Sequence, residues 1–416
     1  MSSSVLKGLP VPDELLDWAA KHSPSGSIST NLHIHTPYSF SGFTSIREAV
    51  RLALEQGVSV LGISDFNTTK GYESFTDECQ KAGIFPVYCI ETIALSIEAQ
   101  RSGIRWNDPG NPGRIYFCGK GLRHPVENAR NAQEVLFRIA QALEKQVREM
   151  IHEVNAHLAS VIPEIRLDYD HIRDTMTEGT VRERHVAKAL QQVIAKAFPD
   201  AAGRAKALKN LYGTESQIDV TDDVALQNEL RSNLLKAGKV AFVEESPEAY
   251  LSVDEVRSLI LEMGGIPCYP VLASASKDQN TEIERDPETL CREILQRDVY
   301  CTEFIPARND MELLREYVSV FKKNGVILTA GTEHNTPRME PMVPACRGGV
   351  ELDAELKEEF WRGACVVVAH QYLTGIGRPG YVDEAGKRTG EEIGRLESIG
   401  EAVITYYLDD HNNLLI

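Results

Sequence analysis

An α/β barrel interrupted by a helical insertion is the fold class this sequence predicts. Three observations predict it. Apolar, strand-like runs alternate with amphipathic helical stretches through most of the 416 residues. Several of those runs end on a carboxylate or an imidazole: His33 and His35 close Asn-Leu-His-Ile-His, Asp65 closes Val-Leu-Gly-Ile-Ser-Asp, Glu91 closes Pro-Val-Tyr-Cys-Ile-Glu, and Glu333 and His334 close the run from 326. Between about 122 and 240 the strand signals stop while helical periodicity continues. In a closed barrel the carboxyl ends of the strands converge on one mouth, where ligand-binding side chains gather.

The elements follow in order. After the His-x-His strand, Ser45-Ile-Arg-Glu48 reads as a capping box, with Glu48 returning to the Ser45 amide. Its helix carries Ile46, Ala49, Val50, Ala53 and Leu54 on one face and stops near Gly57. A strand at 59–65, a helix at 71–82, a strand at 85–91 and a strand at 114–119 come next. From about 128 to 160, Leu136, Ile139, Leu143, Val147, Met150, Val154 and Leu158 recur at steps of three and four, which predicts one long amphipathic helix. Thr180-Val-Arg-Glu183 reads as a second capping box, and Ser252-Val-Asp-Glu255 as a third. Strands at 266–271, 299–305 and 325–331 alternate with helices opened by Asp286-Pro287 and spanning 310–324. The tail reads as a helix near 353–362, a strand at 364–369 and the turn-rich loop Gly375-Ile-Gly-Arg-Pro-Gly380, a candidate lid. Seven alternating strands favour a parallel barrel formed by 1–121 and 241–416, with 122–240 inserted.

Bulk composition narrows the function. Hydrophobic residues at 42% and charged residues at 25% are ordinary globular values, so no long disordered tract is expected. A formal charge of −17 argues against the nucleic-acid backbone and anionic membranes as partners. It is compatible with a small phosphorylated substrate, because a metal supplies local positive charge that the sum hides. The eight cysteines show no CxxC spacing, so neither a zinc ribbon nor a redox pair is indicated; Cys89, Cys118 and Cys268 read as buried thiols. No secretory pattern opens the chain and no run of about 20 apolar residues exists, so a cytoplasmic protein is the expectation.

His-x-His on a strand puts both imidazoles on one face, within reach of one cation. With Asp65, Glu91 and Glu333 at other strand ends, the pattern points to a metal site. The order of motifs also resembles the PHP (polymerase and histidinol phosphatase) family of metal-dependent phosphoesterases. Leu32-His-Ile-His-Thr36, Gly62-Ile-Ser-Asp-Phe-Asn-Thr68, Cys89-Ile-Glu91, Ile115-Tyr-Phe-Cys-Gly119, Val181-Arg-Glu-Arg-His-Val-Ala-Lys-Ala-Leu190, Gly264-Gly-Ile-Pro-Cys-Tyr-Pro270 and Gly331-Thr-Glu-His-Asn335 look like its motifs in unbroken order. The resemblance implies a distorted seven-stranded barrel. It also implies that His33, His35, Glu91 and Glu333 share one metal, while Phe66, Tyr116, Tyr269 and Asn335 replace the ligands of the others. The expected cofactor is therefore one divalent ion: zinc, manganese or ferrous iron.

The expected activity is hydrolysis of a small phosphate ester by metal-activated water. Asp65 or His334 would handle the proton, Arg308 or Arg338 would hold phosphoryl oxygens, and His185 would reach over the mouth from the insertion. Lys70 is a further candidate phosphate clamp, and His370 a late candidate for the mouth. Two other readings fit the same residues: a lyase, isomerase or non-phosphate hydrolase acting on a sugar-like or carboxylated molecule, and an inactive ligand-binding barrel.

Overall fold

The structure is a computed structural model describing residues 5–22, 28–126, 129–273, 281–336 and 338–414. Seven strands form one sheet in sequential order: β1 (Ser29–Ile34), β2 (Val58–Phe66), β3 (Phe85–Leu95), β4 (Arg114–Lys120), β5 (Ile266–Val271), β6 (Cys301–Phe304) and β7 (Ile327–Ala330). The sheet curls until its edges meet at the mouth. There Ile34 bridges Glu333, His35 N–H donates to the Glu333 carbonyl at 2.8 Å, and the Thr332 and Glu333 amides donate to the His33 carbonyl at 3.1 and 2.9 Å. The expected distorted barrel is what forms. One strand corrects the parallel reading: β4 runs antiparallel to both β3 and β5. Strand–helix alternation does not encode direction. The β3–β4 link holds only a five-residue helix and turns, so the chain returns beside the strand it left.

Helices sheathe the barrel. In chain order they are α1 (Pro12–Ala19), α2 (Ile46–Glu55), α3 (Tyr72–Ala82), α4 (Ile97–Arg101), α5 (Arg130–Val161), α6 (Tyr169–Met176), α7 (Glu183–Ala197), α8 (Ala201–Tyr212), α9 (Asp223–Leu230), α10 (Val253–Glu262), α11 (Pro287–Leu295), α12 (Met311–Lys323), α13 (Ala354–Gly375) and α14 (Ile393–Leu414). Ser45 caps α2 through the Glu48 amide, but Glu48 returns to the Thr44 amide, one residue earlier than expected. Ser252 and Glu255 form the expected reciprocal box on α10. Thr180 caps nothing. Its segment is drawn onto the loop after β1, where Thr177 Oγ1 and the Glu178 amide donate to the Pro37 carbonyl at 2.8 and 2.9 Å. The helix therefore starts at Glu183, with the Arg182 amide donating to His185 Nδ1 at 2.9 Å.

Helix α5 joins two cores. Its first half (Ala132, Leu136, Ile139, Leu143) packs with the outer barrel layer. Its second half (Val147, Met150, Val154, Leu158) packs with α6 to α9 in a separate cluster. At about 1.5 Å per residue, its 32 residues form a strut about 48 Å long.

The far end of the barrel holds another correction. Residues 364–369 are no strand; they lie inside the 22-residue α13. Val366, Val367 and Val368 are buried on every side, between barrel residues such as Val87, Cys89, Cys268 and Cys301 and the helix α14. A fully buried helix loses the polar face that marks helical periodicity, so its apolar run imitates a strand. His370 rides on α13 away from the mouth: Nε2 donates to the Gly264 carbonyl at 3.0 Å and Nδ1 accepts from the Tyr381 amide at 3.0 Å. The Gly375–Gly380 loop lies at this same end, so it is no lid over the mouth. All eight cysteines are buried and free. Among the described residues no helix is long and apolar enough to cross a membrane.

Candidate metal centre

Strands β1 and β3 bring three ligand atoms together at the mouth. His33 Nε2 and His35 Nε2 are 3.3 Å apart. Glu91 Oε2 lies 3.1 Å from His35 Nε2 and 3.6 Å from His33 Nε2. Three ligand atoms this close together form a group that could hold a metal ion. Ligands of a tetrahedral zinc, at 2.0–2.1 Å from the metal, stand about 3.3 Å apart. The triangle matches that spacing. Burial pushes the Glu91 carboxyl up, but hydrogen bonds with His33 and His35 win and hold it at about 2. Two imidazoles and one carboxylate also form the donor set of catalytic sites that keep a coordination position open.

Behind His33 lies a group that the sequence reading missed. Glu303 on β6 sits 2.5 Å from His33 Nδ1, through Oε2, and its other oxygen accepts from Lys120 on β4. Lys120 Nζ also donates to the Leu32 carbonyl at 2.9 Å. All three side chains are buried. Cys118 Sγ stands 3.6 Å from the same Glu303 oxygen. His33, Cys118 and Glu303 come close enough to suggest a second ligand group. The 2.5 Å separation is a hydrogen bond, however, and is too short for two ligands of one ion. Burial opposes a charged imidazole, but Glu303 outweighs it and lifts His33 well above its usual range.

His35 is held differently. Its ring lies parallel to Phe66 (5.2 Å, 3°) and nearly parallel to Phe40 (5.4 Å, 17°). Its Nδ1 is buried without a hydrogen-bond partner. Aromatic packing fixes this imidazole, leaving Nε2 toward Glu91.

The other expected site residues fall elsewhere. Glu333 is not part of the triangle; its Oε2 accepts from Arg308 at 2.5 Å and from Asn335 at 2.7 Å. Both Glu333 and His334 adopt positive φ, of 65° and 54°, which turns the chain sharply after β7. That turn sends His334 under Phe43. There Nδ1 accepts from Thr332 Oγ1 and Nε2 donates to the Glu340 carbonyl, each at 2.8 Å. Both nitrogens are spent, so neither is free to coordinate or shuttle a proton. Asp65 ties the loop after β1, accepting from Thr36 N–H at 2.7 Å, Thr36 Oγ1 at 2.5 Å and Ser39 Oγ at 2.5 Å. His185 caps its own helix, and burial lowers it to about 3. Arg338 is exposed, 3.6 Å from Glu340. Tyr269 turns to the outer layer and donates to Glu284 at 2.9 Å, whereas Phe66, Tyr116 and Asn335 do face the mouth.

A cleft of about 450 Å³ opens above Glu91, between the mouth and the helices α5 and α7. Arg182 and Arg184 line it from the start of α7, with guanidinium carbons 5.6 Å from the Phe66 ring and 5.7 Å from the Phe40 ring. Neither forms an ion pair among the described residues; the neighbouring cations Arg231 and Lys236 are taken by Glu183. Arg182 Nε is buried without a partner. Burial lowers both arginines to about 10. Both lie in the segment 181–190, beside the histidine expected to reach the mouth.

Comparison with known proteins agrees with this architecture. Residues 31–219 match the PHP domain. A crystal structure from Bifidobacterium adolescentis, assigned as a metal-dependent phosphoesterase, superposes with a TM-score of 0.51 at 15% identity, covering 82% of this chain and 98% of that one. An amidohydrolase from Chromobacterium violaceum, described with bound sulfate and no metal, superposes with a TM-score of 0.51 at 16% identity, covering 77% and 93%. At such identities the superpositions establish the shared fold. The His-x-His strand and the ligand triangle lie within the region that matches the PHP domain, and the superpositions show the shared barrel fold.

Proposed function

We propose that this protein is a metal-dependent hydrolase of small phosphate esters that uses one divalent ion held by His33, His35 and Glu91. The observation that carries the proposal is the convergence of two imidazole nitrogens and a carboxylate oxygen within 3.1 to 3.6 Å of one another. A divalent ion in that set supplies Lewis acidity and acidifies a water. Phe66 and Tyr116 fill the cleft wall where further ligands would be needed, which favours a single ion. The phosphate preference follows from charge. In a chain of −17, two half-buried arginines with no ion pair among the described residues face the cleft, and planar guanidinium groups suit phosphate oxygens. Glu333, held by Arg308 and Asn335 on the same cleft, is the carboxylate placed to accept a proton. We read residues 122–240 as an insertion domain that supplies the arginine wall.

Metal analysis and a substrate panel test this reading. Purified protein is expected to hold about one ion per chain, lost in His33→Ala, and to cleave at least one class of phosphomonoester or diester. Flat rates across the panel from fully metallated protein would overturn the phosphoesterase assignment, and absence of metal uptake would overturn the hydrolase.

A further inference from the structure

We propose that Glu303 is a positioning residue which, anchored by Lys120, fixes His33 as an Nε2 ligand and sets the metal affinity of the site. The inference rests on the one-metal reading above. Its basis is the asymmetry between the two imidazoles. His35 has no polar partner on Nδ1 and is held by Phe40 and Phe66. Among the described residues His33 has no comparable stack on either face; besides its edge contact with His35 and the approach of Cys118 Sγ to Nδ1 at 4.0 Å, its orientation comes from the 2.5 Å bond to Glu303. A carboxylate on Nδ1 requires the hydrogen of the neutral ring to sit there, which leaves the Nε2 lone pair toward Glu91 and makes it a better donor. Glu303 cannot swing away. Its second oxygen is bound to Lys120, whose ammonium is also bound to the Leu32 carbonyl, one residue before the imidazole it serves. The three groups come from β1, β4 and β6, so the device spans the barrel interior and leaves the cleft open to substrate.

A buried ion pair has a plain structural alternative, and the test must separate the two. Removing one partner destabilises through the other's uncompensated charge, whereas replacing both with neutral isosteres is often neutral for stability. Zinc affinity is measured by titration calorimetry, and stability by thermal melting, for Glu303→Gln, for the Lys120→Met/Glu303→Gln double variant and for Glu303→Asp. Positioning predicts that Glu303→Gln loses zinc affinity by about ten- to a hundredfold. It also predicts that the double variant melts near the wild-type temperature yet stays weak for zinc. Glu303→Asp keeps the charge for Lys120 but falls short of His33, so it too is expected to bind zinc weakly. Wild-type affinity in either the double variant or Glu303→Asp overturns the inference while leaving the metal site intact. A wild type that takes up no zinc overturns the site itself.

Discussion

Gly331 shows how much the site owes to one missing side chain. A Cβ there would lie 2.2 Å from the Cβ of His33. Glycine lets β7 pass against the back of that histidine, and its backbone then turns into Glu333 and His334. Gly331→Ala is expected to push His33 off Glu303 and Glu91. Zinc affinity should fall at least tenfold with a stability loss of about 1–3 kcal/mol. Calorimetry that finds unchanged affinity would show that β1 absorbs the clash. Arg182 offers a second residue-level expectation. It is half-buried, forms no ion pair among the described residues, leaves Nε without a partner and faces the substrate cleft, so Arg182→Gln should raise KM for a phosphate ester by about ten- to a hundredfold, consistent with a lost charged hydrogen bond. The metal content should not change. An unaltered KM would remove Arg182 from substrate binding. The sequence made His33, His35 and Glu91 legible, because strand periodicity and run endings are local. Glu303 and Lys120 were not legible. Glu303 is the third residue of a four-residue strand with no marked ending, and Lys120 is the last residue of a strand whose place in the barrel is a fact of pairing and not of pattern.

At the scale of elements, caps and amphipathic faces were readable wherever one side of the element meets water. Helix α5 and the Ser252–Glu255 box appear almost where their periodicity and capping residues place them. The signal failed for α13, which has no wet side along 363–373. Its glycine explains how it fits. A Cβ on Gly363 would sit 1.8 Å from the Leu328 carbonyl, so α13 lies against the β7 backbone at a distance only glycine permits. Gly363→Ala should therefore destabilise the fold by about 3 kcal/mol, a cost of overpacking, visible as a lower urea midpoint. An unchanged midpoint would mean that helix and strand separate freely. The segment after β5 carries a pH signature. Burial pushes the Glu284 carboxyl up to about 7, against hydrogen bonds from the Leu272 amide, Tyr269 hydroxyl and Ala273 amide. An unfolded glutamic acid titrates near 4.3, roughly. Below that pH both states are protonated and no penalty arises. As pH rises toward 7 only the unfolded chain gains by ionising, so stability falls through this window, by up to about 3 kcal/mol, and levels off above it. The urea midpoint of the wild type should therefore fall relative to that of Glu284→Gln as pH rises from about 4 to about 7, and the gap should hold steady above that; parallel curves would show that Glu284 ionises normally.

The whole molecule combines one barrel, whose seam is light, with a helical unit that has its own core. β1 and β7 meet through a single bridge and a few hydrogen bonds at the mouth, whereas the other neighbouring strands pair along ladders. The ligand triangle stands on the seam strand β1 and on β3, so an ion there ties the first and third strands together beside the weakest closure of the barrel. Bound zinc should therefore protect the seam more than it protects the molecule at large. A ligand at a thousandfold its Kd stabilises the folded state by about 4 kcal/mol, and opening of the seam that carries His35 away from the Glu333 carbonyl forfeits part of that energy. Hydrogen exchange with and without zinc reads this directly. The amides of His35, Thr332 and Glu333, which close the seam, should slow sharply. The amides of α8, whose side chains Ala207, Leu208 and Leu211 pack in the separate cluster, should change little, because α5 is the strut between that core and the barrel. Equal slowing in α8 would show that barrel and insertion open as one cooperative unit; the long helix would then transmit stability from the metal strands to the arginine wall, and loss of the ion would loosen the substrate cleft as well as the site.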